Sequence, residues 1–151
     1  MSSTSRSTPR GFTLIEILVV IGIIAILATI VIIAINPARQ FSQARDTQRV
    51  SNINAILNAV GQNIADNKGT LTGCTGAFGT GVATSTVAAP NIGTGGVNLE
   101  TCLVPTYLPA MVMDPVGGTA ADTKYFIAKY PSGRYVVQAT GEITTPIQVV
   151  R

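Results

Sequence analysis

Histidine and tryptophan are absent from the chain, and lysine and glutamate are scarce. Without histidine, imidazole acid-base chemistry and His-containing metal sites are excluded within one chain. Ser, Thr and Cys are present, but no matched base or oxyanion motif accompanies them, so an enzyme is not expected. No cofactor is called for either, because the glycine-rich stretches lack the Gly-Lys-Ser/Thr ending of a phosphate loop. Charged residues make up only 11% of the chain, with a formal net charge of +3. Two of the ten basic residues, Arg6 and Arg10, precede Gly11, which leaves eight basic against seven acidic side chains. Residues 69–151 carry four of each sign, so no field that would attract DNA follows and nucleic acid is not an expected partner.

What the sequence does contain is a long apolar run. Ile17 to Ile35 is nineteen residues without a charge, close to the roughly 20 that a helix needs to cross a bilayer. The run is longer than the ~7 to 15 residues of a secretory signal core, and no Ala-x-Ala exit follows it. Arg6 and Arg10 on its N-terminal side favour a cytoplasmic N-terminus, with the remainder outside. One acid, Glu16, stands at its edge. A carboxylate there is costly to bury unpaired, and a simple anchor does not account for it.

The stretch Arg10-Gly11-Phe12-Thr13-Leu14-Ile15-Glu16-Ile17-Leu18-Val19-Val20-Ile21 has a basic residue before Gly, Phe after it, and an acid four residues beyond Phe. This order resembles the class III signal of type IV prepilins and type II secretion pseudopilins. The resemblance covers Arg10 to Ile35 closely, with a weaker likeness through the following helix. It implies cleavage between Gly11 and Phe12 by a membrane prepilin peptidase, which also N-methylates Phe12. It implies assembly into a helical homo-oligomeric filament through the N-terminal helix, by an inner-membrane platform and assembly ATPase system. Phe12 and Glu16, four apart and read as one helical face, are the expected assembly pair, with Glu16 neutralising an incoming N-terminal amine. The lipid bilayer is the apolar helix's partner before assembly.

Asn36-Pro37 interrupts the run, so a kink or local break is expected near Pro37. Beyond it Phe41, Ala44, Val50, Ile53, Leu57, Val60 and Ile64 recur at spacings that predict an amphipathic helix, with Arg39, Arg45, Asp46 and Arg49 on wetter faces. Asn67-Lys68-Gly69 reads as its C-terminal cap. Residues 69–123 are rich in Gly and Thr and read as an irregular surface insertion, docked through Leu99 to Val104 and Tyr107 to Val112. Asp114 and Asp122 read as solvated turn acids; some relatives of the resembled family bind calcium near this region, but no compact acidic ligand series is present. Cys74 and Cys102 are expected to form an intrachain disulfide in an exported domain, with free thiols or an intermolecular bridge as alternatives. Lys124 to Tyr130, Arg134 to Thr140 and Ile143 to Val149 are strand candidates for an antiparallel meander.

The expected architecture is α+β and pilin-like: a long N-terminal helix, membrane-spanning in its first half, packed through its second half on a small antiparallel sheet. The divisions are a leader at 1–11, a transmembrane and filament-core helix at 12–35, its amphipathic continuation at 36–68, the disulfide-bearing loop region at 69–123 and the sheet at 124–151. The expected function is a pilin of a type IV pilus-like surface filament, held in the cytoplasmic membrane before assembly. A pseudopilin acting in the periplasm is the alternative, followed by a monomeric membrane-tethered binding domain.

Overall fold

The computed structural model describes residues 11–80 and 89–151; the leader residues 1–10, with Arg6 and Arg10, and Gly81 of the glycine-rich region lie outside the described residues. The chain divides into two units, residues 1–39 and 40–151.

In the first unit, α1 runs from Leu14 to Ala34. It has a mean hydropathy of 3.4 across its most apolar window, none of its residues is buried, and its length and composition suffice to cross a membrane. A helix bonds every interior backbone group to itself, the condition that hydrocarbon imposes. The Thr29 hydroxyl follows the same rule by donating to the Ala25 carbonyl at 2.8 Å. Ile35 is extended, with φ −93° and ψ 107°, and ends the helix.

The interruption expected near Pro37 is thus a break at Ile35 and Asn36, and Pro37 opens α2, Pro37–Asp66. At a first helical position proline's missing N–H has no intrahelical partner to lose. Asn36 Oδ1 accepts from the Arg39 N–H at 3.2 Å, which satisfies one of the free donors of the first turn. At the other end Lys68 and Gly69 turn left-handed, with φ of 56° and 88°, and the Gly69 N–H returns to the Ile64 carbonyl at 2.8 Å. The cap at Asn67-Lys68-Gly69 therefore forms as its residue types suggest.

The second unit packs Gln40 to Asp66 of α2 against a sheet. β1, Gly79–Thr80, pairs parallel with β2, Tyr125–Lys129; β2 pairs antiparallel with β3, Tyr135–Ala139, and β3 with β4, Ile147–Val150. Alternation sends Tyr125, Ile127, Tyr135, Val137, Ala139 and Ile147 into one core with Ile53, Ile56, Leu57 and Val60 of α2. The opposite sheet face is covered as well, around Ala89, Ala128 and Val136. The fold is α+β and pilin-like, an apolar N-terminal helix followed by a second helix and a three-stranded antiparallel meander with one short parallel addition.

Three sequence expectations are corrected here. Phe41, Ala44 and Val50 are exposed, and the buried stripe of α2 begins instead with Asp46, Arg49 and Asn52. The last strand starts at Ile147 rather than Ile143, because residues 141–146 form a turn that receives the Asp46 side chain. Residues 89–108 do more than cover the surface: Ile92, Val97, Leu99 and Leu103 are fully buried, at 0% exposure. Gly76 allows this by closing on the chain at φ 107°, where a Cβ would stand 2.7 Å from the Gly96 carbonyl oxygen.

Candidate processing and assembly site

Thr13 has extended dihedrals, φ −84° and ψ 149°, and is the N-cap of α1. Its hydroxyl oxygen accepts from the Glu16 N–H at 3.3 Å, while Glu16 Oε2 accepts from the Thr13 N–H at 2.7 Å and the Thr13 hydroxyl at 2.8 Å. This is a reciprocal capping box, worth about 1 kcal/mol in typical helices. It holds the Glu16 carboxylate against the helix entrance and satisfies the backbone N–H groups of Thr13 and Glu16.

The same cap leaves Gly11 and Phe12 outside the helix. Phe12 is 85% exposed, and a Cβ placed at Gly11 would meet nothing within 4 Å. A peptide bond outside the helical ladder can be drawn into a peptidase cleft without breaking helical hydrogen bonds. Placing Phe12 and Glu16 on one helical face is therefore corrected: Phe12 precedes the cap and Glu16 engages Thr13. Thr13 joins Gly11, Phe12 and Glu16 as a residue of this site. Its signal was legible, because Thr13-Leu14-Ile15-Glu16 is a Thr-x-x-Glu capping pattern directly before an apolar run.

A second cluster lies wholly within residues 40–151. Arg49, 4% exposed, donates from Nε to Asp114 Oδ2 at 2.6 Å and from Nη2 to Asp114 Oδ1 at 3.0 Å. Its Nη1 reaches Asp46 Oδ1 at 2.8 Å and Glu142 Oε1 at 3.1 Å. Asp46 also accepts the backbone N–H groups of Glu142, Ile143 and Thr144 at 2.8, 2.8 and 3.2 Å. Burial disfavours the Asp46 charge, but those N–H groups and Arg49 outweigh it and lower its pKa to about 2. Glu142 is likewise lowered to about 2, chiefly by the Arg45 guanidinium. Hydrogen bonding to Asp114 raises Arg49 against the opposing effect of burial.

The wetter-face reading of Asp46 and Arg49 and the solvated-turn reading of Asp114 are accordingly corrected. All three are buried, because their charges are satisfied inside the fold. Asp122 instead pairs with Lys124 at 2.6 Å. Among the described residues, no group of three or more His, Cys, Asp or Glu side chains is placed to hold a metal ion. A cavity of about 570 Å³ beside the cluster has Arg45, Glu142, Lys124 and Phe126 in its wall. Because Arg45 and Lys124 already face carboxylates, its charges are balanced within the fold.

Cys74 and Cys102 form a disulfide, with Cα atoms 4.7 Å apart and a sequence separation of 28. The bridge ties the segment after Thr72 to α3, Glu100–Leu103. Asn63 reinforces that tie, its side-chain amide donating to the Thr72 and Cys102 carbonyls at 3.3 and 3.2 Å.

Residues 6–32 match the family model described as the prokaryotic N-terminal methylation motif. No curated protein and no solved structure matches the chain. The matched stretch takes in Gly11, Phe12, Glu16 and most of α1, and it ends before the second unit begins. The chain carries the class III N-terminal methylation signal, consistent with a type IV pilin or pseudopilin precursor.

Proposed function

We propose that this protein is a pilin, the structural subunit of a type IV pilus-like surface filament. Prepilin peptidase cleaves it between Gly11 and Phe12 and methylates the new Phe12 amine. The mature chain leaves the membrane as its apolar helix exchanges lipid for the helices of other subunits, with an inner-membrane platform and an assembly ATPase driving the transfer. Glu16 then meets the Phe12 amine of an incoming subunit and exchanges its internal bonds to Thr13 for an ion pair. The observation that carries this reading is an unburied apolar helix lying mostly within a methylation motif whose Gly-Phe junction is outside the helix. A permanent anchor has no use for that junction.

The methylation motif serves pseudopilins equally well, and shearing separates the two roles. Filaments sheared from intact cells and composed mainly of this chain support the pilin. A chain needed for protein export, retained in the periplasm and absent from sheared material, establishes the pseudopilin. A lipid-bound monomer retaining its leader leaves only the tethered binding domain.

A further inference from the structure

Most charges of residues 40–151 are consumed internally. Arg45, Arg49 and Lys124 pair with Asp46, Asp114, Glu142 and Asp122, and Asp66 accepts the Tyr107 hydroxyl at 2.9 Å. Glu100 is then the one acid of this unit whose carboxylate has no hydrogen bond or ion pair among the described residues. Residues 81–88 contain no charged side chain that would alter this balance.

Apart from Lys68 at the end of α2, the cations of this unit that have no acid partner among the described residues, Lys129, Arg134 and Arg151, gather at one end of the sheet. Lys129 lies opposite Tyr135 in the β2–β3 register, with its Nζ 5.4 Å from the ring centroid. Arg134 immediately precedes Tyr135 and is exposed, and the Arg151 backbone pairs with both the backbone N–H and the carbonyl of Tyr135. Beside them, a groove of about 350 Å³ runs between α2 and the β2–β3 hairpin. Its floor is Leu57, Val60 and Ile64, and at Gly61 a Cβ would enter open space with nothing within 4 Å. Arg134 stands at its rim, while the Arg151 guanidinium is held by Asn54 and Asn58 of α2.

We propose that this groove is the docking site for a second copy of the chain, which presents Glu100 of its α3 to Arg134. The proposal rests on the filament reading. An open helical filament of identical subunits needs a patch that fits a different patch on its neighbour, and a cationic groove with an unpaired acid elsewhere on the same unit supplies such a pair. Glu100 and Thr101 are both exposed, and the Cys74–Cys102 bridge fixes the short helix that carries them. A rigid contact of this kind loses little conformational entropy on docking.

The test uses full-length chains with Glu100→Arg, Arg134→Glu and both changes together, comparing sheared filament with membrane-held subunit. Each single reversal puts like charges together and is expected to lower the assembled fraction about tenfold, with the double reversal restoring most of it. Cleavage at Gly11 and an intact disulfide in every variant show that folding and processing survive. A photo-crosslinker at Ser132 of the otherwise unaltered chain is expected to join a neighbour's peptide containing Glu100. Filaments whose yield ignores both single reversals, or whose crosslinks avoid that peptide, overturn the docking site and leave the filament reading intact. Correctly processed wild-type chains that form no filament overturn both.

Discussion

Arg49 and Asp114, 65 positions apart, are joined by two parallel hydrogen bonds of 2.6 and 3.0 Å in the interior of the second unit. A planar guanidinium gains directional specificity from such a fork. Here the fork fixes the loop at Met113 to Pro115 onto α2, and the remaining nitrogen draws in Asp46 and Glu142. Arg49→Met is expected to cost about 3–5 kcal/mol, because it strands buried carboxylates. Thermal unfolding of the full chain in detergent measures this. A loss below 1 kcal/mol would show that the carboxylates find water or protons without penalty.

The same cluster sets an acid limit. Asp46 and Glu142 both have pKa values lowered to about 2 in the fold, so the unfolded chain binds more protons between that pH and its ordinary carboxylate range. Stability is therefore full above roughly pH 5 and falls as pH drops toward 2. Unfolding midpoints taken across pH 2–7 check the slope, and Asp46→Asn should flatten it while lowering the plateau. A wild-type midpoint independent of pH in this window would contradict the assignment.

Removing the disulfide acts elsewhere. The bridge closes the segment between Cys74 and Cys102, and Cys74→Ser with Cys102→Ser is expected to cost about 2–4 kcal/mol by freeing the unfolded chain. Hydrogen exchange should accelerate around Gly73 to Thr75 and α3 while α1 is unchanged. Equal acceleration throughout α1 would show that the bridge has a wider role.

Thr13 gives a finer prediction. Thr13→Ala removes the hydroxyl from the capping box and should destabilise the first turn of α1 by about 1 kcal/mol, whereas Thr13→Ser preserves it. Amide exchange at Ile15 and Glu16 in lipid nanodiscs distinguishes the two. Identical exchange in both variants would mean that Glu16 caps the helix without the hydroxyl.

The elements readable from sequence are those specified by neighbours along the chain. α1 follows from the Thr13-to-Glu16 cap and the uncharged run behind it, the α2 cap from Asn67-Lys68-Gly69, and β2 and β3 from alternating Tyr, Ile and Val around Pro131-Ser132-Gly133. The ion cluster was not readable, because Asp46 and Arg49 look like any polar helix face until partners 65 and 96 positions away arrive. Those partners also explain the late start of β4: the amides of residues 142–144 are turned toward Asp46 and leave the ladder. At the N-terminus the motif is plain, yet helical periodicity alone would begin α1 at Phe12, two residues before Leu14. A side-chain cap, rather than hydrophobic period, decides where α1 begins.

Intact-mass and N-terminal peptide analysis of the protein from its native membrane and from sheared surface material separates a processed filament subunit from a permanent anchor. The expected result is a chain beginning at N-methylated Phe12, recovered in the sheared fraction. A chain still beginning at Met1 or Ser2, from membranes in which prepilin peptidase is active, would contradict it and leave α1 as a permanent anchor.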